Sequence, residues 1–350
     1  MAKSRGNALR TYIIRRFLLM IPTFLGITFA VFILCQFVPG GPIDQLKMRL
    51  AGGVAGETGA VGGSNLQSSV AIPEDQLKLL NEYYGFDKPI VVRYFVYLKN
   101  LLTLDLGTSF RYTEPVIDII KQRLPVSLTY GLITTFLTYA ICIPLGIWKA
   151  LHHKSVGDNL SSFTIFLLYS IPGYALGAVL LGLLAVQHSW FPLAGFQSAD
   201  FAELTFWGKL KDVAHHAVLP LICWSIHLFA VMTILMKNSL MENMSSDYVK
   251  TALAKGLTWP RAVFGHAVRN SLIPLATSFG NNIALVLAGS LLIERVFNIP
   301  GMGMLFFESI TSRDYPVVMG FTVIGAILQL FGNLLSDLTV AAVDPRVRFE

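Results

Sequence analysis

Between two long apolar runs lies a polar segment, Asp247–Pro274, that is neither apolar nor flexible in composition. Tyr248, Thr251, Ala252 and Lys255 recur at helical spacing, so residues 247–255 are expected to form a short helix. Asp247 stands near its N-terminus, where the helix dipole favours an acid. Gly256 follows as a stop in the left-handed conformation. A second short helix is expected from Pro260, a residue favoured in the first helical turn, and it carries Arg261, His266 and Arg269. Two short helices hinged at a glycine make a rigid knob rather than a tether.

A second set of polar groups lies inside apolar runs, where such groups are rare and face a bundle interior or a water-filled cavity. Asn281, Asn282 and Glu294 fall in one run, and Gln329, Asn333 and Asp337 in another at i, i+4 and i+8, on one helical face. Two readings stand open: a hydrated path, or hydrogen-bond glue between helices. Asn281, Asn282 and Glu294 are assigned to a path with Glu294 near its outer gate, and Gln329 and Asn333 to glue. Asp337 is expected at the inner interface. No metal site is expected, because His152-His153 and His215-His216 are adjacent pairs whose members point to different faces. Nor is there a G-x-x-x-x-G-K-[ST] phosphate loop, an H-E-x-x-H or a G-x-S-x-G, so ATP binding of that kind and familiar hydrolase chemistry are not expected of this chain.

These groups must be positioned by membrane helices. The chain has 350 residues, 54% of them hydrophobic and 14% charged, which is too apolar for a soluble protein of this size. A bilayer crossing takes about 20 mostly apolar residues. Six runs qualify: 17–38, 126–148, 160–186, 217–236, 272–296 and 316–340. The net charge of +6 is confined to short segments between runs, which is topology bias rather than a nucleic-acid face. The N-terminus, the 149–158 turn and the 237–271 loop carry the Lys/Arg excess, so both termini are expected inside. Cys35, Cys142 and Cys223 each sit in an apolar run and are read as small buried hydrophobes. The Gly173/Gly177 pair after Pro172 suggests a close helix contact.

Residues 39–125 form a large extracytoplasmic loop. Within it 51–69 is Gly/Ala/Ser-rich, 73–84 and 115–123 are expected to be helical, and Tyr94, Phe95, Tyr97 and Leu98 make an aromatic amphipathic stretch. It reads either as a folded cap or as a platform for a partner outside the membrane.

The polar knob resembles the EAA loop of ABC-importer permeases, and Thr251-Ala252-Leu253-Ala254-Lys255-Gly256 is similar to the TA-x-AKG version of the peptide-importer branch. The glutamate that names the motif is absent, and Gly256 lies farther from Leu272-Ile273-Pro274 than in the general pattern. Similarity to the dipeptide/oligopeptide/nickel permease family extends over the chain. It runs from Tyr12–Arg16 and Pro39-Gly40-Gly41-Pro42 through Tyr84–Pro89, Asp105-Leu106-Gly107 to Ser109, and Leu124-Pro125. It continues through Glu294–Phe297, Gly301-Met302-Gly303, Arg313–Pro316 and Asp344-Pro345-Arg346. The stretches 39–45, 85–90, 312–317 and 343–350, with the extra Gly/Ala-rich insert before Pro73, are most similar to the Yej-type branch, which handles oligopeptides and the peptide-nucleotide antibiotic microcin C.

The resemblance implies an all-α membrane protein of the type I ABC-importer permease fold, with six transmembrane helices and a periplasmic insert after the first. It implies a cytoplasmic N-terminus (1–16), a core permease domain (126–340) with its coupling loop (237–271), and a short cytoplasmic tail (341–350). The implied partners are a second, similar permease, two ATPase subunits docking on 247–256, and a periplasmic peptide-binding protein, all at the inner membrane of a two-membrane bacterium. No cofactor, no nucleic acid and no enzymatic activity of the chain itself is implied. The coupling residues carried over are Asp247, Tyr248, Thr251, Ala252, Lys255, Gly256 and Arg261. Rival readings are a permease for another cargo (a dipeptide, nickel chelate or glycoconjugate), an ATP-independent carrier, and a membrane-embedded enzyme.

Overall fold

A computed structural model describes residues 2–37, 88–287 and 289–343. The expected features at Pro39–Pro42, 51–69, 73–84 and Asp344–Arg346 lie outside these residues. Within the described residues the regular structure is helical. A bilayer offers backbone N–H and C=O groups no water, and a helix satisfies them within one segment.

The long helices are α1 (Ala2–Phe37), α3 (Val116–Leu151), α6 (Phe206–Ser245) and α13 (Tyr315–Val343). Between them come α2 (Ile90–Leu102), α4 (Val156–Ser170), α5 (Gly173–Leu180), α7 (Asp247–Ala254), α8 (Trp259–Ala262), α9 (Val268–Ser271), α10 (Ile273–Leu287), α11 (Leu291–Val296) and α12 (Met302–Thr311). Among the described residues four stretches are long and apolar enough to cross a membrane: Thr11–Cys35, Val116–Leu151, Phe206–Ser245 and Tyr315–Val343. A fifth is added if Val156–Ser170 and Gly173–Gln187 count together, although they meet at 91°.

Three expectations change. The run 160–186 is a bent pair rather than a straight span. Ile171, held extended at φ −90° and ψ 120° ahead of Pro172, ends α4, as a residue preceding proline is disposed to do. The run 272–296 is divided into α10 and α11, with Gly289 between them at φ +83°. Conversely, the loop helix expected at 115–123 and the span expected from 126 are one helix, α3, which runs through Pro125. Proline removes one N–H but holds φ near the helical value, and a long apolar helix can carry it. The boundary drawn at 125 is therefore not a structural break.

The chain divides into two compact units. One holds 120–307 with the first part of α1 and the end of α13. Its main core joins Cys142, Met232, Met236 and Leu240 to Val249, Ala262, Val263, Ala267 and Leu275. Small residues allow its tightest crossings. A Cβ on Gly146 would stand 2.6 Å from the Met236 Cβ, and one on Gly173 2.6 Å from the Cys223 carbonyl oxygen. A Cβ on Gly177 would stand 2.9 Å from the Phe297 ring, so both glycines of the expected contact are tightly packed. Where α10 crosses α13, a Cβ on Gly280 would overlap the Gly332 carbonyl oxygen, and Ser336 Oγ accepts the Gly280 N–H at 2.9 Å.

The other unit holds 23–119 and 308–323. Here Tyr94 of α2 donates to the Leu25 carbonyl at 2.9 Å and packs its ring 5.1 Å from Phe29 and 5.5 Å from Phe32. The Asp314 carboxylate accepts the Ser109 hydroxyl and the N–H groups of Phe110 and Arg111, the latter two at 3.0 and 3.1 Å. Two separated motifs of the sequence thus meet in one hydrogen-bonded corner.

The α10–α13 crossing generates a prediction. Gly332→Val should lower stability by about 1–3 kcal/mol, because the added atoms meet backbone rather than a movable side chain. A reduced thermal unfolding midpoint of the purified protein in detergent would register it; an unchanged midpoint would contradict the packing described.

Candidate functional site

The segment 247–271 folds as expected into a compact knob. Helix α7 begins after Ser246, which is extended (φ −70°, ψ 150°). Thr251 Oγ1 bonds back to the Asp247 carbonyl at 2.8 Å, and Tyr248 donates to Asn243 Oδ1 at 2.6 Å. Lys250 Nζ stands 2.9 Å from Asp247 Oδ1 and holds that exposed carboxyl below its ordinary pKa.

The end of α7 explains Gly256. The Gly256 N–H bonds to the Leu253 carbonyl at 2.9 Å and the Leu257 N–H to the Ala252 carbonyl at 3.2 Å. This paired closure is a Schellman motif, which requires a left-handed residue at Gly256, where φ is +86°. A Cβ there would point into open space, so the glycine answers a backbone demand and leaves a flat surface. After Thr258, α8 carries Pro260 in its first turn and continues through a wide π-type turn, Val263–Ala267, into α9.

The knob has two sides. Val249, Ala262, Val263 and Ala267 are buried in the same core as Met236 and Leu240 of α6. Asp247, Tyr248, Thr251, Lys255, Gly256 and Arg261 are exposed, while Ala252 is half-buried against the core. The exposed side also carries Leu253, Trp259 and Phe264, the last two about half exposed. Sequence reasoning missed these apolar residues because it sought polar ones; an apolar residue in a polar segment, off the buried helical face, was the available signal.

A buried charge cluster braces the stalk of the knob. Asp158, in the first turn of α4, receives Lys237 Nζ of α6 at 2.7 Å on both oxygens and Lys149 Nζ of α3 at 3.0 Å on one. The Lys149 side chain is fully buried, and its ammonium also donates to the Asp158 carbonyl (2.9 Å) and the hydroxyls of Ser161 (2.7 Å) and Ser162 (2.8 Å). One carboxylate thus ties three helices together ten residues ahead of Asp247. The sequence reading took 149–158 as a basic turn and did not single out Asp158, although it is the only acid between Lys149 and Leu160.

The residues expected to line a path are not brought together. Asn281 is exposed and accepts from Gln329 Nε2 at 2.8 Å. Asn282, its neighbour on another helical face, is buried and donates to the Tyr139 hydroxyl at 3.1 Å. Glu294 is fully buried; the Met304 N–H donates to its carboxylate at 2.6 Å, with the Gly303 and Ser290 amides also turned toward it. Gly301 packs directly against that carboxylate, where any side chain would collide. Asp337 pairs with Arg16 at 2.8 Å. Among the described residues no group of His, Cys, Asp and Glu could hold a metal ion.

Residues 142–349, which include the knob, match the family described as binding-protein-dependent transport system inner membrane component. The chain belongs to this family. It is 38% identical to the peptidoglycan transport system permease protein YejB of Agrobacterium fabrum, across 97% of this chain and 98% of the relative. It is 37% identical to the inner membrane ABC transporter permease protein YejB of Escherichia coli O157:H7, across 97% and 99%. It is 34% identical to the oligopeptide transport system permease protein AppB of Bacillus subtilis, across 97% and 99%. The chain is thus a multi-pass inner-membrane component of a binding-protein-dependent transport system, similar to the YejB-type ABC transporter permeases.

The charge cluster generates a prediction. Asp158→Asn leaves the fully buried Lys149 ammonium and the partly buried Lys237 ammonium without a counter-charge and should destabilise the protein by about 3–5 kcal/mol. Chemical or thermal unfolding of the detergent-purified protein measures this; a loss below about 1 kcal/mol would mean that the cluster is hydrated and weak.

Proposed function

We propose that this chain is one of two permeases in an ATP-driven importer that takes up oligopeptides, peptide-nucleotide antibiotics such as microcin C among them, across a bacterial inner membrane. It crosses the membrane six times in the type I permease arrangement, with α4–α5 and α10–α11 each counting as one crossing and both termini cytoplasmic. The ATPase resides on separate chains, and a periplasmic binding protein delivers cargo to the periplasmic side, where residues 39–125 form its platform. Asn281 faces the transport path, while Asn282 and Glu294, buried behind it, brace the helices that bound the path and its gate.

One observation carries this reading: the knob presents an exposed face of mixed polar and apolar residues, while its inner side is part of the core of the spans. An ATPase subunit seated on Asp247, Tyr248, Thr251, Lys255, Gly256 and Arg261, with Ala252 beneath, moves a rigid body rather than a loop. ATP-driven closure then biases a two-state rocking of the helices. A second reading is favoured by the Agrobacterium relative, whose name specifies peptidoglycan transport: the cargo is a peptide borne on a glycan fragment.

The test is ATP hydrolysis by the complex reconstituted with its partner permease, ATPases and loaded binding protein. Stimulation by peptide-loaded binding protein is expected, and Gly256→Arg should abolish it. Gly256→Asn, whose side chain tolerates the left-handed conformation, should retain a folded knob and more of the coupling than Arg. Undiminished stimulation in the Arg variant would move the coupling site elsewhere. Stimulation by muropeptide-loaded but not peptide-loaded binding protein would select the second reading.

A further inference from the structure

Helix α13 lies between α10 and α1, packing Gly332 and Ser336 against α10 and Phe331 against Phe17 of α1. Two of its faces remain open. One carries Phe331 and Leu335, which are exposed and apolar. The other carries Gln329 and Asn333, about 120–160° around the helix from those residues at ~100° per residue. A polar face at this depth is not turned to lipid when an apolar face is available on the opposite side of the same helix. The amide face therefore looks into the assembly.

That face is an organised rail. Gln329 is the central residue of α13, fourteen positions from either end. Its Nε2 donates to Asn281 Oδ1 at 2.8 Å and to Asn333 Oδ1 at 3.1 Å. Both donor hydrogens of Gln329 and the carbonyl oxygens of both asparagines are thereby engaged. What remains free among the described residues is the Nδ2 group of Asn281, that of Asn333, and Gln329 Oε1. The rail thus offers an excess of donors and no charge.

We infer that Asn281, Gln329 and Asn333 form a binding rail for the main-chain carbonyls of a passing peptide. The inference rests on the importer reading above and deepens it. Neutral amide donors match a feature every peptide bond has, irrespective of side chain, so the rail admits varied sequences. It also reassigns Gln329 and Asn333, because a pair serving only as glue between helices would be buried, whereas Asn333 is exposed and Gln329 only half-buried.

The test uses the complete reconstituted complex in proteoliposomes, with tetra-alanine as cargo and its analogue in which one central amide is replaced by an ester. The ester carbonyl is a weaker acceptor and the change removes little else. The native complex should take up the ester about fivefold more slowly, the effect of one weakened hydrogen bond. The Gln329→Leu/Asn333→Leu variant should take up tetra-alanine about five- to tenfold more slowly and treat amide and ester alike. Asn281→Leu, on a different helix, should lose the same discrimination. Native uptake with intact discrimination in these variants overturns the rail. Loss of co-purification with the second permease in both variants overturns it too, identifying the face as a subunit contact. A native complex that takes up neither cargo, while muropeptide or another solute is imported, overturns the peptide reading and the rail with it.

Discussion

The packing of Val249, Val263 and Ala267 against Met236 and Leu240 makes the knob and the spans a single body. A helical hairpin attached only through its ends would absorb an applied force by bending. Here the buried side of α7 and of the turn after α8 shares close-packed contacts with α3, α6 and α10. Interiors packed to this density transmit displacement because they do not compress. The remaining local features preserve that unity. The left-handed closure at Gly256 sets the angle between the two short helices, and Asp158 holds α6 to α3 and α4 just ahead of the knob.

The same logic separates the polar groups inside the membrane into two kinds. Asn282 and Ser336 are buried and satisfied by neighbouring groups of this chain, and Glu294 is buried with one oxygen bonded and one without a partner. They fix how helices meet. Asn281 and Asn333 are exposed, and the half-buried Gln329 donates to both. In a medium where an unused hydrogen-bonding group is costly, an open amide face is retained where water, cargo or another chain completes it. Adjacent residues of one helix, Asn281 and Asn282, fall on opposite sides of this division because they point about 100° apart.

What the sequence by itself determined is what depends on neighbours along the chain. The apolar runs required membrane helices, the Thr251–Gly256 stretch placed a short helix and its glycine stop, and the i, i+4, i+8 spacing put Gln329, Asn333 and Asp337 on one face. A Schellman closure involves six consecutive residues, so its signal is local and Gly256 was legible. The tertiary structure decided the rest. It showed that α4 and α5 meet at 91°, that 273–296 is divided at Gly289, and that α3 runs unbroken through Pro125. It buried Glu294 in the backbone amides of a segment that follows it, and it drew Asp158 out of a basic turn to join Lys149 and Lys237. Those outcomes depend on which helix packs against which, a choice made by side-chain volume and hydrogen-bond satisfaction across long sequence separations. Residue type and periodicity along one helix carry no record of it.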